Sequence, residues 1–236
     1  MQSKFSYKQL KRQVSEILSS DRWESRWEEL AAVNPQKLIA PLFSALYSSD
    51  PRIKWHAVSC FGRTTSELAS YNMEKARIVM RRCIWNLNDE SGGIGWGSPE
   101  VMAETMTHNR QLANEYHKIL FSFIQDKEGA DNFLEYPPLR SGAYWGVARL
   151  SQVLPDFVQA FSDVLTNSLK QEQNAYILGC TALSFNYINS EDNETDALLR
   201  DLVQRSDEIT LYWNRSFRST SLSEISSLAL TKREQP

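Results

Sequence analysis

Two glutamates, Glu100 and Glu104, are four residues apart in a segment with helical periodicity, so their carboxylates would share one face of a helix. Crowding two acids raises the pKa of one of them, and such a pair can serve as general acid and general base. A solvated acidic helix face has the same spacing and needs no chemistry. The pair is therefore a candidate site, and the sequence identifies no catalytic residues with it.

Other patterns that could do chemistry are incomplete. His56 and Cys60 could offer two metal ligands at the same four-residue spacing, but the sequence identifies no third or fourth ligand. Residues 92–97 contain four glycines, yet no lysine follows as in a phosphate-binding loop, and the dinucleotide and nucleophile-elbow motifs are absent. We therefore predict no metal and no cofactor, and we favour a protein without enzymatic activity.

Composition narrows the class of protein. The chain has 236 residues, 42% of them hydrophobic, which is ample for a buried core, and its net charge of −3 argues against a nucleic-acid-binding protein. Cys60, Cys83 and Cys180 lack the spacing of a disulfide framework or a thiolate zinc site, which favours a reducing compartment. No apolar run reaches the length of a membrane span, and the amino terminus does not resemble a signal peptide. These features predict a cytoplasmic protein without a membrane partner.

Helical periodicity runs through nearly the whole chain, and no segment predicts a strand. Asn34-Pro35, Asp50-Pro51 and Ser98-Pro99 each combine a capping side chain with a proline at the first helical position. Each pair predicts the start of a helix.

One sequence register recurs along the chain. Residues 53–62 and 139–148 both follow the order apolar, basic, x, x, small, any, x, small, apolar, small, and the register returns from residues 94, 175 and 209. A helix precedes each unit, for example over residues 35–47 and 74–87. The pattern predicts a stack of helix pairs in which the fifth, eighth and ninth positions of each unit face the core.

This register resembles the HEAT repeat, and specifically the short HEAT-like repeats of phycobilisome-lyase-type proteins. Asp50 matches the family's turn aspartate and Arg140 its arginine, whereas Lys54, Gly95, Tyr176 and Thr210 replace that arginine in the other units. The segment LNDESGGIGWG is similar to one in a bacterial subgroup without an assigned activity. The resemblance implies an all-α fold, an α-solenoid of about five HEAT-like helix pairs over residues 34–230. The weaker apolar pattern of residues 1–33 predicts an N-terminal helical cap, and the tail (231–236), which lacks apolar residues, is predicted to be frayed, all within one structural domain.

In such a stack, the positions opposite the core form a stripe along one wall, which we interpret as a concave binding groove. Tryptophans there would supply rigid apolar area, and arginines opposite acids would orient a partner. The alternative is that Trp55 and Trp145 are core residues. Trp96 is predicted to lie in a loop, where helical phase does not fix the direction of its side chain. Trp23, Trp27, Trp85 and Trp213 are interpreted as packing residues. The candidate binding residues are Trp55, Arg63, Asp89, Glu90, Trp96, Glu100, Glu104, Arg140, Trp145 and Arg149.

The predicted function is a non-catalytic binding or assembly module for a protein or peptide partner. Two long loops, 88–97 and 127–136, leave an alternative open: an enzyme or small-molecule-binding protein, lyase-like or DNA-glycosylase-like, with a pocket beneath them. Alkylpurine DNA glycosylases resemble helical stacks that use tryptophans, an acid and basic residues on a concave face. That arrangement could be imitated by Trp55, Arg63, Asp89, Trp145 and Arg149. However, Glu100 and Glu104 in the proposed groove would repel a phosphate backbone.

Overall fold

The computed structural model describes residues 6–88, 95–127, 132–189 and 192–233. Over these residues the protein is mostly helical, which confirms the all-α class. The helices are α1 (Tyr7–Leu18), α2 (Trp23–Trp27), α3 (Pro35–Leu46), α4 (Pro51–Tyr71), α5 (Met73–Asn88), α6 (Ser98–His108), α7 (Arg110–Ser122), α8 (Pro137–Val153), α9 (Pro155–Gln159), α10 (Ser162–Gln171), α11 (Ala175–Phe185), α12 (Asn193–Val203) and α13 (Leu222–Arg233); a 3-10 turn covers Glu28–Leu30, and β1 (Glu208–Trp213) and β2 (Ser216–Ser221) form a hairpin.

The chain forms two compact units, Met1–Leu112 and Ala113–Pro236. In the first unit, α4 packs against α3, α5 and α6, and α1 packs against α3 and α4. In the second, α8 packs against α11, which also contacts α13 and β1, while α12 contacts α10 and α13. The predicted division into cap, repeat array and tail stays a prediction.

Two of the three predicted helix starts are confirmed with their caps. The Asn34 side chain accepts a hydrogen bond from the backbone N–H of Gln36, and Asp50 accepts one from the N–H of Arg52, each at 2.9 Å. The third prediction placed the start of α6 within one residue and was wrong about its cap, since Ser98 is the first helical residue. Gly97 caps α6 with a φ of 77°, a left-handed conformation that glycine adopts without strain.

The core positions of the repeat register are buried in the first unit. Ala57, Cys60 and Phe61 of α4 are fully buried, as are Val101 and Met102 of α6. Since these two helices contact each other, the small and apolar positions of the register face a shared core. The register therefore identified buried positions on both helices, but Glu100 and Glu104, which it placed opposite the core of α6, are buried as well.

The fifth predicted repeat is wrong, because residues 208–221 form an antiparallel β-hairpin. The strands pair with Ile209 opposite Thr220 and Trp213 opposite Ser216. Asn214 and Arg215 make the turn, with φ values of 50° and 65°. A two-residue turn with positive φ at both positions matches the twist of paired strands. The strand sequence EITLYW is also rich in β-branched and aromatic residues, which favour strands over helices.

The interpretation of four tryptophans as packing residues holds for three. Trp23, Trp27 and Trp213 are buried, whereas the side chain of Trp85 on α5 is 72% exposed. The prediction for Trp85 is therefore wrong. The apolar stripe of α5 that faces the core runs through Ala76, Met80 and Cys83, which leaves position 85 on the outer side.

His56 should make the first unit sensitive to mild acid. Its neutral ring donates from Nδ1 to the carbonyl of Leu18 at 2.7 Å and stacks on Trp23, and burial lowers its pKa below the ordinary value of 6.5. The unfolded chain then binds more protons than the folded one below about pH 6.5, so we expect the free energy of unfolding to fall as the pH drops through that value.

Chemical denaturation between about pH 5 and pH 7 measures this effect. His56→Asn is the matched control, because an amide N–H can still reach the Leu18 carbonyl but does not titrate in this range. An equally steep pH dependence in His56→Asn would show that another group is responsible.

Candidate functional site

The predicted acidic pair lies at the contact between α4 and α6 of the first unit. Glu100 and Glu104 are only 3% and 4% exposed. The Lys54 ammonium on α4 lies 2.9 Å from Oε1 of Glu100, and Nε2 of His108 lies 3.2 Å from Oε1 of Glu104. Each carboxylate therefore has a basic partner within the unit.

A small residue lets the two helices approach closely enough to bury this pair. A Cβ at Gly62 would lie 2.9 Å from Cγ of Glu104 and 3.0 Å from its carbonyl oxygen, and it would also meet the His108 ring. Real side chains do not tolerate such contacts, so α4 could not carry even alanine here without shifting. The position is one that the repeat register requires to be small.

Other predicted residues of the first unit lie on the same two helices or just before α6. Trp55 is half-buried, with the Lys54 ammonium 5.2 Å from its ring centroid. Arg63 is half-buried and forms a 3.7 Å ion pair with Glu24, and Trp96 is half-buried in the turn before α6. The structure thus brings Trp55, Lys54 and Glu100 together. Asp89 and Glu90 lie outside the described residues.

Arg140, at the start of α8 in the second unit, is occupied by internal contacts. Its Nε donates to Oε1 of Glu172 at 2.7 Å, and its Nη1 donates to the carbonyls of Leu134 and Glu135 at 2.7 and 2.9 Å. Its guanidinium lies over the Phe133 ring. These contacts attach the segment before α8 to the body of the unit.

Trp145 and Arg149, further along α8, lie near the β-hairpin. Trp145 is 3% exposed, its indole N–H donates to the carbonyl of Tyr212 at 2.8 Å, and it meets Trp213 edge to face. Arg149 is half-buried and donates to Gln152 at 2.6 Å. This geometry agrees with the alternative that Trp145 is a core residue. No sequence pattern pointed to its hairpin partner, because the hairpin itself was not predicted.

A cavity of about 330 Å³ lies beside the second long loop, within the second unit. Its lining is largely polar and charged, with Ile124 and Phe133 as apolar members. Part of the loop, residues 128–131, lies outside the described residues. Among the residues that are described, no group of three or more His, Cys, Asp or Glu side chains is placed to hold a metal ion. The polar lining consists of Asp126, Glu135, Arg140, Tyr144, Gln171 and Glu172.

Sequence reasoning missed a surface on α5. Ile78 is 53% exposed and Trp85 is 72% exposed, and since they are seven residues apart they lie on one side of the helix. Arg81 and Arg82 lie between them, and the Arg82 guanidinium is 4.0 Å from the centroid of the Phe43 ring. We call Ile78, Arg81, Arg82 and Trp85 the α5 face. The phase of the buried stripe through Ala76 and Met80 could have revealed it.

Comparisons with known proteins name no activity. No family model matches the chain. An uncharacterized protein of Archaeoglobus fulgidus is 23% identical over 187 residues, which cover 79% of this chain and 90% of that protein. Within the described ranges, no helix combines the length and the apolar character needed to cross a membrane. Function therefore has to be argued from the geometry.

Proposed function

We propose that the protein is a non-catalytic helical binding module for a protein or peptide partner. The helix pairs within each unit are proposed to be HEAT-like repeats, a view supported by the α4–α6 and α8–α11 contacts between second helices. A cytoplasmic location is part of the proposal, since the three cysteines are buried free thiols. Burial raises the pKa of the Cys83 thiol to about 12, which makes it a poor nucleophile.

The observation that carries this proposal is the exposure of Trp85 beside Ile78. Single exposed apolar residues are ordinary, but a tryptophan that is 72% exposed with an aliphatic neighbour on the same helix side forms an anchor surface. Tryptophan and arginine are the residue types that most often dominate binding energy at protein interfaces. The α5 face contains both types.

The charged residues of the predicted groove favour binding over catalysis. Acid–base chemistry needs a group within reach of a substrate proton, and Glu100 and Glu104 are buried against basic partners. Four half-buried residues of the predicted groove remain proposed secondary contacts with the partner: Trp55, Arg63, Trp96 and Arg149. The main docking surface that we propose is the α5 face.

A second candidate function is small-molecule binding in the second unit. The specific observation is the 330 Å³ cavity, which is within the size range of ligand pockets. Its carboxylates and amide would suit a ligand rich in hydrogen-bond donors. Such a ligand would remain bound when the α5 face is altered, which separates the two candidates.

Replacing Trp85 by alanine should strongly weaken partner binding without unfolding the protein. The side chain is mostly in solvent, so the stability change should stay within about 0.5 kcal/mol, whereas loss of an interface anchor weakens binding by about 30-fold or more. Tagged wild type and Trp85→Ala would be purified from the native host, and co-purifying proteins quantified by mass spectrometry. Direct titration of the captured partner then gives the affinity change.

Leu228→Ala is the matched control, because Leu228 is 60% exposed on α13 of the other unit. We expect it to retain the partner. Equal recovery of the same proteins by wild type and both variants would contradict a role for the α5 face. A small molecule that elutes with all three forms would favour the second candidate.

A further inference from the structure

We propose that the α5 face binds an acidic amphipathic helix of a partner protein, whose apolar side chains cover Ile78 and Trp85 and whose carboxylates meet the arginines between them. This inference rests on the proposed function and specifies the chemistry of its partner.

The charge of α5 supports an acidic partner. The helix carries Lys75, Arg77, Arg81 and Arg82 against one carboxylate, Glu74, in a chain whose net charge is −3. Glu74 is exposed and pairs with Arg77 and Arg81, and basic residues outnumber acidic ones within the helix. A local positive surface on a negatively charged protein attracts acidic partners and disfavours basic ones.

The spacing of the anchors supports a helical partner. Ile78 and Trp85 are separated by two turns of α5, or roughly 10 Å along its axis, and lie nearly in line with that axis. A second helix presents apolar side chains at the same interval when they are seven residues apart. Acidic residues that flank such a stripe would reach Arg81 on one side and Arg82 on the other.

The apolar anchor separates this partner from a nucleic acid. Tryptophan and arginine can both stack on bases, but Ile78 offers no ring for stacking and no charge for a phosphate. It does suit the leucine, isoleucine or methionine side chains of an amphipathic helix. Oligonucleotide binding is therefore the contrary outcome in the experiment below.

The test uses the full chain and a displayed library of random 16-residue peptides, selected in parallel on wild type and Trp85→Ala. We expect wild type to enrich peptides that combine a net negative charge with apolar residues three, four or seven positions apart. These peptides should not be enriched on Trp85→Ala. The affinity of a selected peptide should fall steeply as the salt concentration rises, because the exposed ion pairs are screened.

Arg81→Gln/Arg82→Gln should weaken the selected peptides roughly three- to tenfold, the effect expected of two surface charge contacts. Arg218→Gln, which removes an exposed charge from β2, should leave the affinity unchanged. Circular dichroism and thermal melting establish that each variant is folded. The double substitution also removes the contact between Arg82 and Phe43. Arg81→Gln alone keeps that contact, and unchanged peptide affinity in this variant would contradict the inference.

The outcomes separate the inference from the proposed function. Neutral or basic peptides that require Trp85 would overturn the acidic partner and keep the binding module. Selected peptides that ignore Trp85, or no enrichment on wild type, would contradict both proposals. A labelled single-stranded oligonucleotide that binds wild type and not Trp85→Ala would also overturn the inference.

Discussion

Trp145→Ala is expected to lower the free energy of unfolding by about 3–5 kcal/mol, because it removes a large buried side chain from the contact between α8 and the β-hairpin. The variant loses the edge-to-face contact with Trp213 and leaves the buried carbonyl of Tyr212 without its indole donor. Urea denaturation followed by far-ultraviolet circular dichroism measures the change. The hairpin should also lose protection from hydrogen exchange before the helices do.

Trp145→Phe is the matched control for this prediction. It keeps an aromatic ring in the site and loses the hydrogen bond, so we expect an intermediate loss in the free energy of unfolding. If Trp145→Ala were as stable as wild type and lost a binding partner instead, Trp145 would be a residue of the predicted groove and its packing role would be refuted.

The second large effect is expected at Arg140. Its side chain is 12% exposed and that of Glu172 is 13% exposed, so Arg140→Ala leaves a mostly buried carboxylate and two backbone carbonyls without their donor. Removing one partner of a buried pair costs about 3–5 kcal/mol, and we expect a loss near 3 kcal/mol here. The melting temperature and the free energy of unfolding in urea measure it.

A double substitution distinguishes the pair from simple packing. Arg140→Met/Glu172→Leu removes both charges together and should recover a large part of the stability lost in Arg140→Ala, since no isolated charge remains buried. The exposed pair Arg205–Asp207 is the control, and Arg205→Ala should cost less than about 1 kcal/mol. Equal losses in Arg140→Ala and Arg205→Ala would mean that Arg140 contributes no more than a surface charge.

Together with Trp85→Ala, these variants separate folding from binding. Trp85 and Trp145 are the same residue type, but one is 72% exposed and the other 3% exposed. We therefore expect the first substitution to change partner affinity and the second to change stability. The sequence pattern predicted the reverse, with Trp145 as a candidate binding residue and Trp85 as a packing residue.

Local signals in the sequence determined the helical class and several of its boundaries. Asn34 and Asp50 cap the predicted helices, since capping depends only on a side chain and the backbone two or three residues away. Helical periodicity likewise identified Ala57, Cys60 and Phe61 as core residues of α4. The stacked arrangement of the HEAT resemblance remains a proposal.

Only the tertiary structure decided which surfaces are covered. Glu100 pairs with Lys54, which lies on α4 and is 46 residues away along the chain, and the hairpin that contacts Trp145 starts more than 60 residues after it. Helical phase gives the direction of a side chain, and what lies in that direction depends on contacts between distant parts of the chain. The outward position of Trp85 and the strands at residues 208–221 were missed although each has a local signal: the phase of the buried stripe on α5, and the β-branched and aromatic residues of β1.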